Sequence, residues 1–409
     1  MRLPLCALAL VVCSYAADPG VPVSAAADPA ADAADPQQAQ TPAPQQPSNP
    51  AQPPAAQAPA SQAPASAPAP PPKYGGWSFS GLADGYFSDN FNHPQSSFNQ
   101  LQNFDLNYGH PEMSLVKFTV DKSDKVFGIH VDAGFGETMR WIHSADPAAI
   151  DHKGFRYIEQ MYVIAKPNHT HGAEFDFGEF VTSAGAEVIE ASSNWNYTRS
   201  LLFAWAIPYY HFGLRTSVPL TKEVTVGLQV VNAWNTLWGN NNMDNIGLTF
   251  ALTKPKYTWN VNYYEGPNHQ GTTQGKRNLF DSTVLLTPNS KWNMYINGDI
   301  GRDNNIGPGH SSWYGLAGAA RFQASKKIAV AARAEVFDDV NGFATGLKQV
   351  VREGTITGEY KYNDHFVGRL EFRRDNSNQP FFNRGYQEGV AHNMDTLTIG
   401  LIAILGPLK

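Results

Sequence analysis

From Tyr74 onward, apolar and polar side chains exchange places at nearly every step of the chain. In "KYTWNVNYYEG" (256–266), Tyr257, Trp259, Val261 and Tyr263 alternate with Thr258, Asn260 and Asn262. "VFGIHVDAGF" sets Phe127, Ile129, Val131, Ala133 and Phe135 against Gly128, His130, Asp132 and Gly134. "TITGEYKY" sets Ile356, Tyr360 and Tyr362 against Thr355, Thr357, Glu359 and Lys361, and "HFVGRLEFRR" sets Phe366, Leu370 and Phe372 against Arg369, Glu371 and Arg373. A period of two is the signature of antiparallel strands with one apolar and one polar face. The pattern predicts strands near 77–87, 112–121, 126–135, 156–165, 172–178, 208–218, 223–234, 243–252, 257–264, 277–286, 291–300, 312–323, 328–337, 351–362, 366–374 and 394–405.

The joints between them carry a second rhythm. Short turns such as "KSDK", "PLTK", "TKPK", "TPNS" and "ASKK" alternate with longer connections at 88–111, 136–155, 179–207, 235–242, 265–276, 301–311, 338–350 and 375–393. A Greek-key sandwich has no reason to obey odd-even order, whereas an up-and-down barrel crossing a bilayer puts every odd joint outside and every even joint in the periplasm. Strands of ~9–11 tilted residues suit the bilayer thickness, and closure leaves no unpaired edge in hydrocarbon. The expected fold is all-β: a transmembrane antiparallel up-and-down β-barrel of sixteen strands over residues 74–409. On that reading the aromatic face of 257–263 meets lipid.

Composition agrees. Only 16% of residues are charged, against roughly 25% in soluble domains, and beyond residue 16 no apolar run approaches the ~18 residues of a membrane helix. A net charge of −6 without a basic cluster argues against nucleic acid as a partner. "MRLPLCALALVVCSYAADP" has a cationic start, an apolar stretch and a small-residue end at Ala16, the form of an export signal over 1–16. Both cysteines, Cys6 and Cys13, lie in it, so the mature chain is expected to have no thiol chemistry. Residues 17–73 hold 16 of the 29 prolines, too little apolar mass to fold, and predict a disordered linker that spaces the barrel or touches the cell wall.

An apolar exterior puts the polar residues in the lumen. Asp132, Asp176, Arg215, Asn260, Asn262, Glu359, Lys361, Glu371 and Arg373 are expected to line it, solvated by enclosed water. The joint "EFVTSAGAEVIEASSNWNYTRSLLFAWAI" is too apolar to hang in solvent, with Val188, Ile189, Trp195, Leu201, Leu202, Phe203 and Trp205. Folding inward would cover these side chains and narrow the pore; an external lid or subunit contact is the alternative. A short helix over 184–191 would place Glu187 and Glu190 on one side, facing Arg321, Arg333 and Arg369 in a constriction with a transverse field. Tyr209, Tyr210, Trp234, Tyr263, Tyr264 and Trp313, near strand ends, are expected at the bilayer boundary.

The block 177–215, with "NQLQNFDLN" (99–107) before it and "DTLTIGL" (395–401) after, resembles the OmpL-like β-barrel porins of bacterial outer membranes. The likeness covers most of 76–405 and implies an outer-membrane barrel of porin activity, with no catalytic residue to carry over. The ending "IAILGPLK" departs from the terminal aromatic common in such strands. The function expected is passive diffusion of small hydrophilic solutes or ions, without cofactor. Expected partners are outer-membrane lipid, those solutes and other copies of the chain. A non-conducting barrel serving as adhesin or wall anchor is the alternative. An outer-membrane enzyme has less support, since no G-x-S-x-G occurs and serines and histidines are scattered. No metal site is expected: His169 and His171 share a turn without a third ligand, and "FDDVNGF" lacks the spacing of a calcium loop.

Overall fold

In a computed structural model, residues 76–406 are described apart from 240, 242 and 306–308. The expected export signal and the linker at 17–73 lie outside the described residues.

The strands are β1 (Trp77–Asn90), β2 (Pro111–Ser123), β3 (Phe127–Phe135), β4 (Ile158–Ala165), β5 (Glu174–Val181), β6 (Tyr210–Pro219), β7 (Val224–Val231) and β8 (Asn245–Lys254). They continue as β9 (Tyr257–Pro267), β10 (Lys276–Leu286), β11 (Trp292–Asn304), β12 (His310–Gln323), β13 (Ile328–Asp339), β14 (Gln349–Lys361) and β15 (Phe366–Ser377). After a small hairpin, β16 (Phe382–Arg384) and β17 (Gln387–Ala391), comes β18 (Asn393–Leu405). Sixteen of these pair antiparallel with their neighbours, and β1 pairs with β18 to close the barrel; β16 and β17 form a separate two-stranded sheet. The hairpin lies inside the joint read as 375–393 and was not expected. Several strands run further toward the long joints than the apolar pattern indicates, to Asn90, Pro267, Asn304 and Ser377. Their ends are rich in Asn, Asp and Gly, which pair through backbone alone and carry no apolar face to read.

Alternation holds around the wall. Trp259 is 39% exposed on the outer face while Asn262 is 2% exposed on the inner one. Trp77, Phe127, Tyr257, Trp292, Tyr362 and Phe366 point outward beside the short turns. The expected aromatic belt needs correction: Tyr209, Tyr210, Trp234, Tyr264 and Trp313 are all buried, packed with inward-folded loops rather than set at a boundary. Rings at inward register positions can cover apolar loop surface more fully than any solvent-facing position allows.

Two glycines re-aim the sheet where that packing begins. Gly178 and Gly213 face each other across β5 and β6 with φ of 141° and 154°. A Cβ on Gly178 would come within 2.2 Å of the Met161 carbonyl oxygen, and one on Gly213 within 2.3 Å of that of Val230. Only glycine tolerates both the backbone and the approach.

Candidate functional site

The connection from β5 to β6, residues 182–209, runs inside the barrel and is tied to the wall along its length. The Gly185 amide donates to Asp281 at 2.9 Å, the Ala186 amide to Asn297 at 3.2 Å, and Asn262 donates to the Ser183 carbonyl at 2.9 Å. Further on, Glu371 accepts from the amides of Tyr197 and Thr198, and Glu335 from those of Leu201 and Leu202. Carbonyls are met by arginines: Arg369 donates to those of Ala191, Asn194 and Asn196, Arg333 to Thr198, and Arg373 to Arg199. Irregular backbone in a dry interior must find such partners, and here the wall supplies them.

This arrangement replaces the expected helix over 184–191. Asn194 clamps the Val188 amide and carbonyl, Arg199 takes the Ile189 carbonyl and Arg369 that of Ala191. With those groups engaged elsewhere, the i to i+4 ladder cannot form. A single π-helical turn, Leu202–Ala206, follows instead, with every side chain buried.

A second segment lies against the first. Asn103 donates to the Ala204 carbonyl and to the Tyr209 hydroxyl, the Trp205 indole donates to the Leu101 carbonyl, and Phe104 packs edge-on against Phe203 at 5.2 Å. Asp105, in this segment, is fully shielded, and burial pushes its carboxyl up to about 7. Nothing in the sequence of 88–111 points inward, because its amide-rich core shows no apolar period.

Across the barrel the inner wall is different. Lys117 of β2 is in salt-bridge contact with Asp132, Glu159 and Glu190. His130 sits between Asp121 at 2.7 Å and Asp132 at 3.0 Å. The oxygens of Asp132, Glu159 and Glu190 lie within 4.8 Å of one another, a spacing compatible with a cation, but the Lys117 ammonium already occupies the middle. A cavity of about 200 Å³ opens beside this cluster, bordered by Lys117, Thr119, His130, Asp132, Glu190 and Ser192.

Residues 76–405 match the family model described as "Putative beta-barrel porin-2, OmpL-like". The chain belongs to this porin family. Among curated proteins none matches it. Solved structures share the fold at low identity. The outer-membrane channel DcaP of Acinetobacter baumannii is 7% identical, with 82% of this chain and 100% of that one covered and a TM-score of 0.55. A loop-deletion mutant of OmpT from Vibrio cholerae is 12% identical, with 80% and 98% covered and a TM-score of 0.53. An anion-selective porin from Comamonas acidovorans is 8% identical, with 80% and 99% covered and a TM-score of 0.52.

In this porin only part of the charged set read from the sequence comes together. Glu187 meets Arg333 at 2.7 Å and accepts from Tyr295 at 3.1 Å. Glu190 turns away to Lys117, while Arg321 and Arg369 share Glu359 at 2.7 and 2.8 Å, so neither glutamate faces those two arginines. The field across the loop is therefore broken into closed ion pairs.

Of the lumen-facing residues, Arg215 pairs with Asp176 at 2.8 Å and stacks on Tyr162 and Phe180; Arg373 pairs with Asp375 at 2.8 Å. Asn260 is half-buried on the inner register, and Lys361 reaches Asp364 in the adjoining turn. Most of the set is not solvated as expected: Asp132, Glu371 and Arg373 are at most 2% exposed. The two inward segments fill the middle of the lumen, and each of these charged side chains is met by an opposite charge or a backbone group.

Lys117, Glu159, Arg199 and Glu353 were missed. Lys117 had a signal, since "SLVKFTVD" alternates Lys117, Thr119 and Asp121 with Val116, Phe118 and Val120. Arg199 had none, lying in a loop without periodicity.

Proposed function

We propose that this chain is an outer-membrane porin, giving passive diffusion of small hydrophilic solutes or ions through a barrel whose width is set by the inward segment 182–209. Family membership and the barrel fold support the coarse reading. One observation supports the loop's role: it is held inside the barrel by wall side chains of β9 to β15. The path left for solutes is the β1–β4 side, where Lys117, Asp132 and Glu190 border the cavity. The export signal, the spacer role of 17–73 and assembly from several copies remain part of this proposal.

Purified full-length protein in a planar bilayer should give discrete ion-conducting steps. Glu187→Gln with Glu190→Gln should move the reversal potential toward anion preference, because two negative charges leave the loop. Unchanged selectivity would remove the loop from the permeation path.

A second reading is a sealed barrel acting as an adhesin or wall anchor. The dry middle of the lumen favours it, with Arg333, Glu335 and Glu353 all at most 6% exposed. Absence of any steps across a wide voltage range, from protein shown to be inserted and folded, would decide for it.

A further inference from the structure

The outer face carries a groove that the transport reading does not use. It measures about 450 Å³ and is bordered by Phe280, Gly298, Ile300, Tyr314, Leu316 and Val336 of β10 to β13, an almost wholly apolar lining. Gly298 gives it depth: among its bulky outward neighbours it has no side chain, and a Cβ there would meet nothing closer than 3.8 Å. The groove spans the middle of these strands and reaches, through Ile300, Tyr314 and Val336, toward the ends that lead into the long joints.

At that end the outer face turns basic. Arg302 follows Ile300 on the same face of β11, and Arg352 of β14 stands directly opposite Val336 in register. Among the described residues Arg352 has no side-chain hydrogen bond or ion pair, and Arg302 bonds only Asn304, at 3.0 Å. Arg374, nearby on β15, is already paired with Asp395 at 3.5 Å. Asp338, also on the groove's edge, disfavours an anion over β13 and directs it to either side. Arginine on a lipid face is costly toward mid-bilayer and gains from a phosphate at the interface, which its fork can bind bidentately.

We propose that this groove is a binding site for a phosphate-bearing lipid of the outer leaflet, its acyl chain against Gly298 and its phosphate held by Arg302 or Arg352. The proposal rests on the outer-membrane placement given above and not on conduction. Apolar lining below and uncompensated guanidinium above match the two ends of one amphiphile.

The test uses full-length protein in detergent, titrated with phosphatidic acid and with diacylglycerol of the same acyl chains, the bound lipid being counted by native mass spectrometry. Wild-type protein should retain phosphatidic acid over diacylglycerol. Arg302→Glu with Arg352→Glu should lose that preference roughly tenfold, as charge-assisted bonds are replaced by repulsion. Arg302→Gln with Arg352→Gln, less disruptive to insertion, should lose it partly, and Gly298→Phe should exclude both lipids. Equal retention of the two lipids by wild type, or retention indifferent to the arginine variants, overturns the site. So does a fall in oligomeric state in Gly298→Phe with lipid binding unchanged, which would give the groove to a second copy. Bilayer conductance of the same variants should match wild type; if wild type itself fails to conduct, the transport reading falls while the lipid counts still decide this one.

Discussion

Two stretches of the same inner wall use their charges in opposite ways. On β13 to β15, Arg333, Arg369, Arg373, Glu335 and Glu371 bond the backbone of the inward loop. On β2 to β4, Lys117, His130, Asp132, Glu159 and Gln160 bond mainly one another, with Glu190 as the bridge to the loop. Backbone amides and carbonyls have fixed positions, so side chains bound to them define one arrangement of the loop. Side chains bound to each other exchange partners more readily with water, ions or solute. The first stretch reads as an anchor and the second as the edge of the proposed path.

The largest effect should come from the anchor. Arg333→Met with Arg369→Met leaves Glu187 without its cation and takes one of two from each of Glu353 and Glu359, a loss of about 3–5 kcal/mol for a broken buried pair. Loop 182–209 should then undock, read as a rise in conductance and as protease cleavage within it. Lys117→Met with His130→Met on the other stretch should not expose the loop.

Gly400→Val attacks the anchor by volume rather than charge. A Cβ at Gly400 would lie 2.2 Å from the Tyr197 ring, whose hydroxyl donates to Asp84 at 3.1 Å. Overpacking of this kind costs about 1–3 kcal/mol, and thermal unfolding in detergent should register it. Lys117→Met sharpens the contrast from the other side. It leaves Asp132 and Glu190 at the cavity, and the buried Glu159, without their ammonium, so the reversal potential should shift toward cations, with little change in protease resistance.

The docked segment also carries a pH dependence. Asp105 in the docked segment releases its proton near 7, whereas the exposed carboxyl does so near 3.8. Docking is therefore fully favoured below the lower value and weakens as pH rises to about 7, on the order of 1 kcal/mol per pH unit. Asp105→Asn should abolish that slope in thermal unfolding measured between pH 5 and 8.

The wall was legible because each strand meets two unlike media, and a period of two reports which residue faces which. Trp259 and Asn262 announce their sides without any knowledge of neighbours. The inward course of 182–209 was also legible, since Leu201 to Trp205 had to be covered. Its conformation was not. Whether Glu190 turns to Lys117 or to Arg369 depends on β2 being brought opposite the loop, a distance of chain that no local pattern encodes. Tyr209, Tyr264 and Trp313 misled for the same reason: an aromatic ring at a strand end suits a bilayer boundary and a packed interior equally well. The two blocks that carry the family resemblance inside the loops, 99–107 and 177–215, turn out to be the ones that pack on each other through Asn103, Phe104, Phe203 and Tyr209.

The seam between β1 and β18 has a consequence for biogenesis. Ten residue pairs, from Gly81 with Leu405 to Asn90 with Thr396, join the two ends of the described chain. Such contacts span the greatest possible sequence separation, so the entropy of ring closure is lost before any of them rewards it. Until the final strand arrives, the sheet has two free margins that hydrocarbon will not accept. Zipping that seam and entering the bilayer must therefore be one event, and a polypeptide truncated before residue 393 should be held outside, however complete the rest of its wall.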